Sequence, residues 1–191
     1  MLETRDWEIV VAENTLGSED SFRATHLGQA AKGLKHVLLT RNLGRTNKGV
    51  GEFDMMSRCL VEFDTSNFDS IAYMSGRMIV ANRFVFERVE DNPGRTVLGN
   101  PDFLFLKGRF VESEKSHMFS TGFFAMSPAD LGSLAEYFNS LLSGGIPKAF
   151  GSEQMLYQFV QHRKIDPIWL EFYGFLRFEL SPFGRKRWHV W

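Results

Sequence analysis

"TRNLGRTNKGVGEFDMM", residues 40–56, joins an apolar run to an amphipathic one and decides how the first half of the chain is interpreted. It contains three glycines and three cations, Arg41, Arg45 and Lys48. Glycines let the backbone approach a ligand closely, and a helix N-terminus beside Arg or Lys favours an anion. The stretch therefore indicates either a phosphate-binding strand-to-helix junction or a solvated loop whose glycines make tight turns.

The junction does not match the two standard nucleotide motifs. A Walker A loop has Gly-Lys-Ser/Thr at the helix start, whereas Lys48 precedes Gly49 here and no Ser or Thr follows. A dinucleotide fingerprint needs a third small residue three positions after Gly51, and Asp54 stands there. A phosphate at this junction would be held in some other way.

Strand and helix patterns alternate on both sides of the junction. Residues 7–12, 35–40 and 68–75 predict buried strands. Residues 21–34 predict a helix capped by Ser21. A second helix has its apolar face marked by Phe53, Met56, Leu60 and Phe63. This order predicts an α/β, Rossmann-like fold with a mostly parallel sheet flanked by helices, which binds ligands outside the carboxyl ends of its strands.

The second half predicts a mixed C-terminal part. Residues 102–111, 117–127 and 170–180 have extended patterns. Two helices are predicted at residues 127–145, capped by Ser127, and at residues 152–164, capped by Ser152. Their apolar side chains predict the inward faces, which are Leu131, Leu134, Ala135, Phe138, Leu141 and Leu142 on the first helix and Met155, Leu156, Phe159 and Val160 on the second. No linker or repeat interrupts the sequence, so residues 1–191 are predicted to form a single domain.

Composition excludes several classes of protein. With 43% apolar and 24% charged residues, the chain is typical of soluble globular proteins. A net charge of -1 gives no reason to expect nucleic-acid binding. The one cysteine, Cys59, excludes an internal disulfide and a cysteine metal cluster, and it is expected to be a buried, inert thiol. Without a signal-peptide pattern or a long apolar run, the sequence predicts a cytoplasmic protein.

Five segments, taken in order, resemble the GT-A glycosyltransferases, which use nucleotide-sugar donors. They are EIVVAEN (8–14), HVLLTRNLGRTNKGVGEF (36–53), FDSIAYMSGR (68–77), FSTGFFAMSPADL (119–131) and GSEQMLYQF (151–159). The last two resemble the acceptor-side strand and helix, and the acidic motif, of bacterial polysaccharide transferases. The resemblance implies transfer of a sugar from a nucleotide-sugar donor to a saccharide or lipid-linked acceptor.

The resemblance also implies roles for individual residues. Glu13 and Asn14 would contact the base or ribose of the donor, and Asn42, Asn47 and Lys48 would line the donor loop. Glu153 would be the general base, because deprotonating an acceptor hydroxyl needs a carboxylate within hydrogen-bond reach. The alternative for Glu153 is an acid that stabilises the first turn of a helix through the helix dipole.

Two departures from the family pattern carry consequences. The family's Asp-x-Asp metal motif is replaced by Ser75-Gly76-Arg77, so no metal cofactor is expected and Arg45, Lys48 and Arg77 would neutralise the diphosphate. The family's central first strand and its helix, which precede EIVVAEN, have no counterpart. Either the start is truncated, another segment fills the gap, or the protein is not a working transferase. The strand edge at 7–12 is expected to pair with another segment or another chain, which predicts a homo-oligomer.

Other interpretations remain open. The tail GRKRWHVW (184–191) suits an anionic membrane surface, a final strand or a partner interface. The main alternative to a transferase is a non-catalytic, degenerate module that binds a nucleotide or phosphate, which the missing Asp-x-Asp favours. A third is an interaction protein without a ligand.

Overall fold

The computed structural model describes residues 7–13, 18–38, 47–75, 78–80, 83–99, 104–106, 109–111, 117–145, 151–170, 175–180 and 186–190. The chain divides into two compact units, residues 1–65 with 145–152 and residues 66–144 with 153–191. The predicted single domain stays a prediction, because compact units need not fold independently.

The first unit contains a β-α-β arrangement followed by a long helix. Its elements are β1 (Val10–Glu13), α1 (Glu19–Arg23), α2 (His26–Ala30), β2 (Lys35–Leu38) and α3 (Lys48–Glu62). Strands β1 and β2 pair in parallel, with Val10 opposite Lys35 and Glu13 opposite Leu38. The two predicted strands are therefore confirmed: β1 begins three residues later than predicted and ends one residue later, and β2 begins at the predicted residue.

The predicted helix at 21–34 is replaced by two short helices. Ser18, and not Ser21, caps α1: its Oγ accepts from the Ser21 N–H at 3.2 Å. Thr25 separates the helices, because its Oγ1 donates to the Phe22 carbonyl at 2.7 Å and accepts from the Gly28 N–H at 2.9 Å. A Cβ at Gly28 would collide with the Phe22 carbonyl oxygen. The glycine thus permits the close contact between α1 and α2.

Helix α3 has the predicted amphipathic character. Val50, Phe53 and Met56 are buried, whereas Leu60 is half-buried. Phe63 follows the helix in an extended conformation, and its N–H donates to the Cys59 carbonyl at 3.0 Å. The apolar spacing therefore located the helix and its buried face at Phe53 and Met56, but the prediction that Phe63 belongs to the helix is wrong.

The second unit is built on a four-stranded mixed sheet. Its elements are β3 (Ile71–Met74), β4 (Met78–Val80), α4 (Phe84–Glu90), β5 (Val97–Gly99), β6 (Leu104–Leu106), β7 (Arg109–Val111), β8 (Phe123–Met126), α5 (Pro128–Gly144), α6 (Ser152–Arg163), β9 (Ile168–Leu170), β10 (Phe175–Leu180) and β11 (Lys186–Val190). The first residue of α6, Ser152, belongs to the first unit. The strand order is β3-β8-β5-β9, where β8 is antiparallel to both neighbours and β5 is parallel to β9.

The prediction that the third strand joins the first two in one mostly parallel sheet is wrong for the described strands. Strand β3 lies in the four-stranded sheet and pairs antiparallel with β8, Ile71 opposite Met126. All four residues of β8 are buried. Since side chains alternate between the faces of a sheet, β8 is covered on both faces and offers β3 an apolar partner. The fold is mixed α/β.

Two further groups of strands are antiparallel. Strand β10 lies between β11 and β4, with Phe178 opposite Trp188 and Leu176 opposite Ile79. Strands β6 and β7 form a two-stranded pair. The tail interpretation as a final strand is confirmed by β11, while contact with a membrane surface stays a prediction. Among the helices that the structure describes, none is long and apolar enough to cross a membrane.

The core of the second unit follows the predicted helical faces. On α5, Leu131, Leu134, Ala135 and Phe138 are buried, whereas the predicted inward residues Leu141 and Leu142 are only half-buried. Helix α5 packs against β8. Ser127 caps this helix as predicted: its Oγ accepts from the Asp130 N–H at 3.1 Å. On α6, the four predicted inward residues are all buried: Met155, Leu156, Phe159 and Val160.

Candidate functional site

The carboxyl ends of β1 and β2 lie side by side. Glu13, the last residue of β1, is in register with Leu38, the last residue of β2. The segments that follow these ends carry the predicted donor residues Asn14, Asn42 and Arg45, which lie outside the described residues, as does the side chain of Glu13. Two of the three predicted strand ends are thus brought together at one sheet edge.

The third strand end belongs to the second unit. Beyond β3, the Ser75 N–H donates to the Gly122 carbonyl at 2.9 Å, so backbone pairing continues past Met74. Arg77, which follows directly, lies outside the described residues. Its predicted role at the donor diphosphate stays a prediction.

The glycine-rich junction ends in a capped helix. Asn47 has extended dihedral angles (φ -151°, ψ 120°), and its side chain accepts from the Val50 N–H at 3.2 Å. This is the geometry of an N-cap, which satisfies one of the donors that a helix start leaves unpaired. Asn47 therefore has a structural role, and its predicted contact with a donor remains untested. Lys48 is the first helical residue, and its side chain lies outside the described part of the chain.

Gly49 is required by the protein's own backbone. A Cβ at this position would collide with the Ser152 nitrogen and lie 3.0 Å from the Gly151 carbonyl carbon. A hydrogen bond stabilises the same contact between Gly49 and Ser152. The Ser152 hydroxyl donates to Glu52 Oε2 at 2.6 Å, a short distance that is typical of a hydroxyl bound to a carboxylate. Ser152 is only 2% exposed. This hydrogen bond holds Ser152 against α3. Because its partner is a side chain of α3, the bond is not the cap of α6 that was predicted for Ser152.

Replacing Gly49 with alanine is expected to destabilise the protein by about 1–3 kcal/mol, the usual cost of forcing extra atoms into a packed interior. The neighbouring atoms are backbone, so they cannot move aside as the end of a flexible side chain would. Urea unfolding measures the change. Gly132→Ala on α5 is the matched control, because a Cβ there meets nothing within 4 Å and alanine favours a helix by roughly 1 kcal/mol. Equal stability of the Gly49 variant and the wild type would contradict the close approach.

Glu153 lies in the first turn of α6, where its carboxylate is half-buried. Its backbone carbonyl accepts from the Phe119 N–H at 3.0 Å, which fixes the segment before β8 to the start of the helix. A first-turn acid is stabilised by the helix dipole. That position is equally suited to a general base, so both roles predicted for Glu153 stay open.

Aromatic side chains lie beside this helix start, and they were not predicted from the sequence. The aromatic cluster consists of His117, Phe119, Tyr157 and Trp169. Ring centroids are 5.4 Å apart for His117 and Tyr157, 5.0 Å for Phe119 and Tyr157, and 5.4 Å for Phe119 and Trp169. The available signal was the spacing of Glu153 and Tyr157, four residues apart and hence on one face of a helix.

The described part of the chain contains neither a reactive thiol nor a group of side chains that could hold a metal ion. Cys59 is half-buried, and burial, followed by the nearby Glu62 carboxylate, raises the pKa of its thiol. A raised pKa keeps the sulfur protonated and poorly nucleophilic, which agrees with the predicted inert thiol. Among the described residues, no group of three or more His, Cys, Asp or Glu side chains could hold a metal ion.

Comparison with known proteins gives no family assignment. No family model matches the chain, and no curated protein matches it.

Proposed function

We propose that this protein is a GT-A-like glycosyltransferase that transfers a sugar from a nucleotide-sugar donor to a saccharide or lipid-linked acceptor. The observation that carries the proposal is the parallel pair of β1 and β2, which end in register at Glu13 and Leu38 and are followed by α3. Ligands of such sheets bind outside the carboxyl ends of the strands. The residues that resemble the family's donor loop follow β2 directly.

The donor is proposed to bind through the residues that follow these two strand ends. Glu13 and Asn14 would contact the base or ribose. Asn42 and Lys48 would line the donor loop. This loop follows Leu38, the last residue of β2, and leads to Asn47, the cap of α3.

The diphosphate is proposed to bind arginine and lysine side chains without a metal ion. Arg45, Lys48 and Arg77 supply positive charge where the family has an Asp-x-Asp motif, and Arg donates two parallel hydrogen bonds to a phosphate. The reaction leaves negative charge on the departing diphosphate, which these cations would stabilise. Glu153 would accept the proton of the acceptor hydroxyl that attacks the sugar.

The distribution of strands does not match the single sheet that the GT-A fold would give. Strands β1–β2 and β3–β8–β5–β9 form separate sheets in the described part of the chain. The proposal therefore depends on β1, β2 and the residues that follow them.

A specific observation favours the alternative of a non-catalytic binding module. Asn47 already accepts from the Val50 N–H, and the space beside Gly49 is filled by the backbone of Gly151 and Ser152. Two features that suggested a phosphate site thus have roles within the fold. A module that keeps only its side-chain cations would bind a nucleotide diphosphate without turning over a sugar donor.

Donor turnover separates these two functions. The protein would be incubated with UDP-glucose, UDP-N-acetylglucosamine and GDP-mannose, and release of the nucleotide diphosphate would be followed over time. A transferase is expected to release it above the rate without protein, because water can take the place of the acceptor hydroxyl and attack the bound donor. Binding of a donor without any release would identify the module, and neither binding nor release would reject both functions.

A further inference from the structure

Glu52 is a half-buried carboxylate that the fold holds in place near the start of α3. Its Oε2 accepts from the Ser152 hydroxyl at 2.6 Å, and Ser152 itself is buried. The backbone of Gly151 and Ser152 also fills the space beside Gly49 on the preceding turn of the helix. Because its hydrogen-bond partner is packed against the helix, the negative charge of Glu52 stays close to the first turn of α3.

The usual reason for an acid near a helix start does not account for Glu52. The first turn of α3 contains no acidic residue, and the stabilising effect of the helix dipole falls off within that turn. Asp54, the next acid, pairs with Arg58 at 3.3 Å, four residues further along α3. Four residues beyond Glu52 stands Met56, and four residues before it stands Lys48. The basic residue at this spacing from Glu52 is therefore Lys48, the first residue of the helix.

We infer that Glu52 is a specificity-determining residue, which lowers the affinity of the donor site for ligands that carry more negative charge. The inference rests on the proposed function, in which Lys48 lines the donor loop and binds the diphosphate. Residues four apart on a helix have Cβ atoms roughly 5–6 Å apart, so the charges of Glu52 and Lys48 act on the same ligand. The carboxylate repels each negative charge of that ligand and offsets part of the attraction from Lys48.

The donor and the nucleotide product of a sugar transfer differ in charge. In a nucleotide sugar the outer phosphate is esterified, whereas in the released nucleotide diphosphate it is a monoester-like group that loses its second proton at about pH 6. At neutral pH the product therefore carries one more negative charge than the donor. A fixed carboxylate repels the product more strongly than the donor, which favours release of the product after transfer.

A series of ligands of rising charge tests the inference on the full chain. UDP-glucose, UDP and UTP, and in parallel GDP-mannose, GDP and GTP, would be titrated by calorimetry at low ionic strength without metal. Glu52→Gln keeps an oxygen that accepts from Ser152 but removes the charge. It is expected to tighten binding about twofold for each negative charge on the ligand, the effect of a unit charge roughly 10 Å away in water. The gain should therefore grow from the nucleotide sugar to the diphosphate to the triphosphate.

Glu62→Gln is the matched control, because Glu62 is an exposed carboxylate at the last residue of the same helix. The same loss of charge at that end should leave every affinity unchanged. The double variant Glu52→Ala/Ser152→Ala covers the case in which Glu52→Gln does not fold. It removes both partners of the hydrogen bond, so no buried group loses its partner in that bond, and it should show the same rising gain.

Two results would overturn the role of Glu52 while leaving the proposed donor function intact. One is that the folded variants bind every ligand as tightly as wild type does. The other is a gain in affinity that is equal for the nucleotide sugar, the diphosphate and the triphosphate. A wild-type protein that binds none of these ligands would instead reject the donor site, and the inference with it.

Discussion

Replacing Glu153 with glutamine is expected to slow sugar transfer by about 10²–10⁴-fold, the contribution typical of a general base. Glutamine has the same shape as glutamate but cannot accept the proton of the acceptor hydroxyl. Donor binding should change little, because the proposed donor contacts come from other residues. The measurement is the initial rate of transfer at saturating donor, combined with the dissociation constant for the nucleotide diphosphate.

The helix-dipole role of Glu153 predicts a different result. Loss of a first-turn charge would lower stability by about 0.3–1 kcal/mol and would leave the rate of the folded protein unchanged. Glu136→Gln on α5 is the matched control, since it removes an exposed carboxylate from the same unit. Equal transfer rates for wild type and Glu153→Gln would show that Glu153 is not the base.

Replacing Arg77 with alanine is expected to weaken binding of a nucleotide diphosphate about 10- to 150-fold. This corresponds to the loss of a charge-assisted hydrogen bond, worth roughly 1.5–3 kcal/mol. Raised salt should weaken wild-type binding, because solvent-accessible charges are screened. Isothermal titration calorimetry at two salt concentrations measures both effects.

Arg163→Ala is the control for Arg77→Ala, because Arg163 is an exposed arginine at the end of α6 in the same unit. It should leave nucleotide affinity unchanged. An Arg77 variant that unfolds would identify Arg77 as a structural partner of a carboxylate. An Arg77 variant that folds and binds as wild type does would contradict the phosphate role of the β3 end.

The helices, and strands that pair with a neighbour close in sequence, could be predicted because buried side chains recur at a short, regular spacing along each element. The stripes of α5 and α6 place Leu131, Leu134, Met155 and Phe159 in the core, as predicted from spacing alone. The parallel pairing of β1 with β2 was also predictable, since two strands joined through helices over a short connection usually lie parallel.

Strand partners that are distant in sequence could not be predicted in the same way. Strands β3 (Ile71–Met74) and β8 (Phe123–Met126) lie far apart in the sequence. The apolar pattern of each strand is compatible with several different partner strands. Alternating strands and helices suggested that β3 would continue a parallel sheet, but the fully buried β8 pairs with it in the opposite direction. Register and direction depend on which partner completes the core.

The candidate site shows a second limit of sequence reasoning. A glycine indicates close approach, but not whether a ligand or the protein's own backbone approaches. At Gly49 the backbone at Ser152 approaches, about a hundred residues further along the chain. The aromatic cluster was missed for a similar reason, because its rings come from three separate segments that meet only in the fold.

This protein is proposed to bind a nucleotide-sugar donor through its own cations. A calorimetric titration of the wild-type protein with UDP and GDP, and with their sugar conjugates, in manganese and again in EDTA, tests this proposal. We expect at least one nucleotide diphosphate to bind with the same affinity in both conditions, because Arg45, Lys48 and Arg77 are proposed to take the place of the metal. Binding that requires manganese, or no binding of any of these nucleotides, would contradict the proposal.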